Sequence, residues 1–247
     1  MKKRQYRICM AVLLIIILLC GFMVGKDLLT MQKEKNEFLQ LADMITLEES
    51  KNKADLPAKQ QKEKERNLSA LSAENSECIG WICIPGTQID YPVMYTPKEP
   101  QKYLNKNFYE EYSYSGVPFL DGRCNLGSDN LILYGHHMRN GTMFAGLCGY
   151  KDLTFNECHP ILEFESKAEC NQYTVFAVMK TNTESEWYRF IETETEEEYN
   201  KFIEIAKKGS LYETGITPVY GEQILTLSTC IGIAGNERLI VAAVKKK

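Results

Sequence analysis

Apolar positions along the chain fall into three textures. Ile8 to Gly25 is an 18-residue run without a charge. At about 1.5 Å per residue, a helix of that length spans roughly 27 Å, close to a bilayer core. Lys26 to Glu74 then mixes both signs of charge and holds no glycine. Leu28, Met31, Phe38, Leu41 and Ile45 recur there at helical spacing until Pro57 interrupts them. This predicts a solvated helical stalk.

From about Cys78 the texture changes to short apolar runs between turn residues. Strands are predicted at Trp81–Ile84, Ile89–Met94, Pro118–Leu120, Leu131–Tyr134, Ile161–Phe164, Tyr173–Lys180, Glu186–Ile191, Ile224–Ser228 and Leu239–Val244. Pro92 suggests an edge or a bulge in the second of these. Many short strands with turn punctuation suggest a barrel or a sandwich. One segment differs. Thr195 and Glu198 fit a capping box, and Tyr199, Phe202, Ile203 and Ala206 follow at helical spacing until Gly209. The acidic run from Glu192 to Glu198 sits where a helix N-terminus favours negative charge. Helix capping accounts for it without a calcium site.

The expected organisation is a basic segment (1–7), an apolar span (8–25), a charged linker (26–75) and one domain (76–247). Lys2, Lys3, Arg4 and Arg7 precede the span, so the N-terminus is expected in the cytoplasm and the bulk outside. Val24, Gly25 and Lys26 make a poor signal-peptidase site, and Leu19 before Cys20 makes a poor lipoprotein signal. An uncleaved signal-anchor fits best. A formal net charge of −4 offers no basic field for nucleic acid. Nine cysteines against three histidines give no zinc-site spacing, and no cofactor or metal is expected. Cys78, Cys83, Cys124, Cys148, Cys158 and Cys170 either pair as three disulfides or stay reduced. Their spacings form no recognisable framework, which favours the reduced state.

Three pieces carry chemistry. Thr226-Leu227-Ser228-Thr229-Cys230 is an apolar strand that ends on a thiol. Leu131-Ile132-Leu133-Tyr134-Gly135-His136-His137 is a strand that runs into imidazoles. Arg238 opens the third strand, and its guanidinium is always charged. A thiol needs a neighbouring base or cation to be useful near neutral pH, and histidine supplies proton transfer there. Each piece alone is commonplace. Their order is not: Gly-His, then Cys 94 positions on, then Arg eight further.

That order resembles the sortase family. Tyr134-Gly135-His136-His137-Met138 and Thr226–Cys230 look like the catalytic motifs of class B sortases. Ile79–Val93, Tyr103-Leu104-Asn105 and Phe119-Leu120-Asp121 are similar as well. The resemblance covers roughly residues 76–247. It implies a closed eight-stranded barrel, mainly β with accessory helices, behind an N-terminal transmembrane helix and a helical linker. It implies cleavage of a sorting signal of the Asn-Pro-x-Thr type after Thr, through a thioacyl enzyme. The protein would then pass to a peptidoglycan amine. Cys230 would be the nucleophile, His136 the acid/base, and Arg238 a substrate and oxyanion ligand. Tyr134 and Ser228 would line the substrate groove. His136 is preferred to His137 because the family's histidine directly follows Gly. Two other readings share the residues: an endopeptidase that lets water resolve the thioester, and a surface binding domain that retains the barrel without catalysis.

Overall fold

The computed structural model describes residues 2–47, 68–232 and 235–246. The linker stretch around Pro57 and the loop residues 233–234 lie outside the described residues. The chain divides into two units, Met1–Gln40 and Leu41–Lys247. Helix α1 (Lys2–Leu47) carries the apolar run, and Gln5–Met44 is long and apolar enough to cross a membrane by length and composition. A short helix, α2 (Leu68–Glu74), precedes the strands.

Eight strands form a closed barrel: β1 (Cys78–Cys83), β2 (Asp90–Met94), β3 (Phe119–Leu120), β4 (Asn130–Tyr134), β5 (Ile161–Ser166), β6 (Cys170–Asn182), β7 (Ile224–Cys230) and β8 (Glu237–Lys245). Their order is β1-β2-β3-β4-β7-β8-β6-β5, and β5 closes on β1. The pairs β2–β3 and β4–β7 are parallel and the other pairs antiparallel. Closure removes the open edges that an isolated sheet of short apolar strands would expose. β3 touches β2 only at Met94–Phe119, so most of β2 has a single partner. Pro92 sits in that single-partner stretch, where its missing N–H is tolerated.

Eight of the nine predicted strands are present, most of them extended at their ends. The exception is Glu186–Ile191. Residues Glu186–Arg189 instead form a 3₁₀ turn, capped by the Ser185 hydroxyl accepting from the Trp187 amide. The reason lies in the spacing. Trp187 and Phe190 are both fully buried, three residues apart, which suits a three-residue turn and defeats the alternation of a strand. The Phe190 ring then stacks on Phe202 at 4.8 Å and meets Tyr199 edge-on at 5.5 Å. Phe202 and Tyr199 belong to the long helix, which with Leu153–Cys158 counted as α3 becomes α4 (Glu196–Gly209). Thr195 caps α4 as expected, accepting from the Glu198 amide, while the Glu198 carboxylate reaches one residue further back, to the Glu194 amide.

A buried polar chain ties the turn to the barrel. The Trp187 indole N–H donates to the Thr226 hydroxyl at 3.2 Å, and that hydroxyl donates to Asn130 Oδ1 at 2.7 Å. Asn130 Nδ2 donates to the Phe190 carbonyl at 2.9 Å. All three side chains are fully buried, so each bond avoids an unpaired polar group in the core. Thr226→Val keeps the shape but strands two partners. It is expected to cost about 1–3 kcal/mol, seen as a lower urea midpoint with an unchanged slope.

Candidate active site

The parallel pair β4–β7 is in strict register. Asn130 faces Ile224, Ile132 faces Thr226, and Tyr134 faces Ser228, always 94 positions apart. His136 and Cys230 share that offset. Beyond the strands two bonds continue the alignment. The Gly135 amide donates to the Ser228 carbonyl at 3.2 Å, and the Thr229 hydroxyl donates to the Gly135 carbonyl at 2.7 Å. On the other side of β7, Cys230 stands directly opposite Arg238 in the antiparallel pair. Positions two apart on a strand share a face. Ser228 and Cys230 therefore share a face of β7, with Tyr134 level with Ser228, and His136 follows two residues past the end of β4. All five residues singled out in the sequence line one cleft of about 540 Å³.

The histidine has a fixed tautomer. His136 Nε2 lies 2.8 Å from the Leu104 carbonyl, which can only accept, so Nε2 carries the hydrogen. In the neutral ring Nδ1 is then the basic nitrogen. Half-buried His136 shares the cleft with the half-buried Cys230 thiol. Arg238 Nη1 donates to the carbonyls of Gly235 and Glu237 at 2.7 and 3.0 Å. The fork has five donors, so the same group can also meet a substrate carbonyl. Gly135 is required by packing. A Cβ there would sit 2.7 Å from the ring of Phe144, which is fully buried.

Other cleft residues were not singled out. Tyr188 shares a hydrogen bond of 2.8 Å with the Ser228 hydroxyl. Burial pushes its phenol up, and the Arg238 charge pulls back down. The Tyr134 hydroxyl donates to Asp121 Oδ2 at 2.9 Å, and burial raises its pKa. Arg123 holds both Asp121 oxygens, at 2.9 and 2.7 Å. Burial opposes charge on Asp121, but the Arg123 and Tyr134 bonds outweigh it and keep the carboxyl below its usual range. His137 is exposed and does not line the cleft. It is more than a turn residue, because its Nδ1 lies 3.0 Å from the Cys230 carbonyl. No disulfide joins any of the nine cysteines among the described residues, and Cys78 and Cys124 are buried with their thiols pushed up to about 11 by loss of solvation.

A thiol, an imidazole and a guanidinium converging at the rim of a closed barrel suit acyl transfer through sulfur. Known proteins define the class. Residues 82–246 match the family described as Sortase domain. Sortase B of Staphylococcus aureus is 30% identical over 230 residues, covering 92% of this chain and 90% of that protein. Sortase B of Listeria monocytogenes is 34% identical over 165 residues, 66% of each chain. Among solved structures, a Staphylococcus aureus sortase B–substrate complex superimposes with a TM-score of 0.76 at 30% identity, covering 87% of this chain and 97% of the other. The protein is thus a cysteine transpeptidase. It belongs to the sortase family, in class B.

Two outcomes test the geometry. Gly135→Ala must displace either Phe144 or the turn that carries His136, and misplacement of about 1 Å costs roughly 100-fold in turnover. A kcat/KM within a few-fold of the parent would contradict the packing argument. Asp121 is held below its ordinary value of about 3.9, so its stabilisation is complete above that pH and drains away as pH falls through the folded value. Urea unfolding of Asp121→Asn and the parent should differ most above about pH 4 and converge on acidification.

Proposed function

We propose that the protein cleaves a sorting signal of the NPxTN or NPxTG type after Thr and transfers the upstream protein to a peptidoglycan amine. The observation that supports this reading is the one cleft that His136, Cys230 and Arg238 line together, with Arg238 opposite Cys230 in the β7–β8 register. The Cys230 sulfur attacks the Thr carbonyl. Its proton reaches the leaving amine through His136 Nδ1, the nitrogen left basic by the Leu104 contact. Arg238 meets the developing oxyanion and the neighbouring substrate carbonyls. In the second half, His136 takes a proton from the incoming amine as it attacks the thioester. Tyr134 and Ser228 line the path of the sorting signal, each oriented from behind by Asp121 and Tyr188. No step calls for a cofactor.

The N-terminal helix serves this function as an anchor. Residues 8–25 span the membrane once, the basic segment 1–7 stays in the cytoplasm, and 26–75 is the spacer. The catalytic domain, 76–247, faces outward, where surface proteins bearing the signal and the wall precursor meet. Support comes from the apolar run within α1 and the basic residues that precede that run.

Incubating the protein with a sorting-signal peptide, with and without an amine acceptor, tests the transfer. The acceptor should appear in the product, and Cys230→Ala should abolish both product and trapped thioacyl enzyme. Release of free carboxylate alone, with acceptor never incorporated, would make the protein an endopeptidase. Removal of one oxyanion donor costs about 10²–10³-fold in kcat, the range expected for Arg238→Ala. The rate should be bell-shaped in pH, because one partner acts without its proton and the other with it.

A further inference from the structure

Cys148 lies outside the cleft, in the 3₁₀ segment Phe144–Lys151, and is half-buried. Its Sγ is 3.9 Å from His137 Nε2, and the other nitrogen of that ring, Nδ1, is 3.0 Å from the Cys230 carbonyl. A carbonyl only accepts, so Nδ1 carries the hydrogen and the neutral ring presents a bare Nε2 to the thiol. A nucleophile, a base in reach, and a third group that fixes the base's tautomer form the signature of an activated nucleophile. Here it stands outside the cleft, and the third group is the main chain of Cys230.

We infer that Cys148 with His137 is a second thiol site, one that exchanges with small disulfides. Exchange builds charge on sulfur alone and so needs no oxyanion donor, only a base that takes and returns one proton. The Cys148 proton passes to His137 Nε2 as its sulfur attacks one sulfur of R–S–S–R. The disulfide bond breaks, Cys148–S–S–R forms, and the departing thiolate leaves as RSH with the proton from the imidazolium. One disulfide is consumed and one is formed, and a reducing thiol reverses the step. Four other thiols are natural controls. Cys78 and Cys124 are buried, with thiols pushed up to about 11, and resist attack. Cys158 and Cys170 are more exposed than Cys148, so accessibility alone favours them.

The test uses the full chain in detergent as Cys230→Ala, with 2-hydroxyethyl disulfide as a small uncharged probe. Adducts are located by peptide mass mapping against time at neutral pH. Cys148 should label about tenfold or more faster than Cys158 and Cys170, a modest fraction of the roughly 10²–10⁴-fold that a positioned base contributes. His137→Ala should erase that lead and leave the rates at Cys158 and Cys170 unchanged, with the thermal unfolding midpoint as the check on folding. Should that variant unfold, the comparison of thiols within the parent still decides. Labelling at Cys148 no faster than at the exposed pair, or a lead that survives loss of His137 in a folded variant, overturns the inference. The background lacks Cys230, so the result is independent of the role proposed for that residue.

Discussion

Parallel pairing of β4 with β7 is the constraint on which the rest of the molecule depends. The two strands arrive from distant parts of the chain, and nothing local aligns them. Their register does so through buried apolar side chains on both strands. A slip of one residue would turn Tyr134 and Ser228 away from each other and drive Asn130 and Thr226 off their partners. The polar chain from Trp187 through Thr226 and Asn130 to the Phe190 carbonyl is satisfied in one alignment. It acts as a keyed joint within an otherwise greasy interface. It also seats the turn that holds Tyr188 against Ser228.

The cleft is built from strand ends, and this decided what could be read from the sequence. Cys230, His136 and Arg238 each follow or open an apolar strand, and their spacing is the register itself written along the chain. The fixed offset of 94 therefore carries three-dimensional information. The barrel's eight strands were legible because turn residues bracket each apolar run, and α4 because its cap and its periodicity agree. The turn at Glu186–Arg189 was not legible. Tyr188 and Trp187 have strand-forming side chains, and only the three-residue spacing from Trp187 to Phe190 argues otherwise. Thr226 did leave a trace, as a polar residue inside a run that otherwise reads as buried, whereas Asn130 continues the polar stretch before its strand and left none.

The contribution of Leu104 could not be found that way. Its backbone carbonyl fixes which nitrogen of His136 is basic, and any residue can supply a carbonyl. The same holds at His137, where the Cys230 carbonyl sets the tautomer. Adjacent histidines thus present opposite nitrogens as the basic one, Nδ1 on His136 and Nε2 on His137. The protein distinguishes two identical side chains by main-chain acceptors alone.

The wide separation of β4 from β7 also orders events in time. Closing a loop of about 90 residues must be paid in entropy before the pairing returns anything, and such contacts lag behind hairpins like β7–β8. During folding, Cys230 therefore finds Arg238 early and His136 late. The newly made chain passes through a stage in which its thiol already faces a cation but has no base to complete the pair. Chemistry waits on a strand contact of long sequence separation, which makes activity itself a reporter that β4 and β7 have paired.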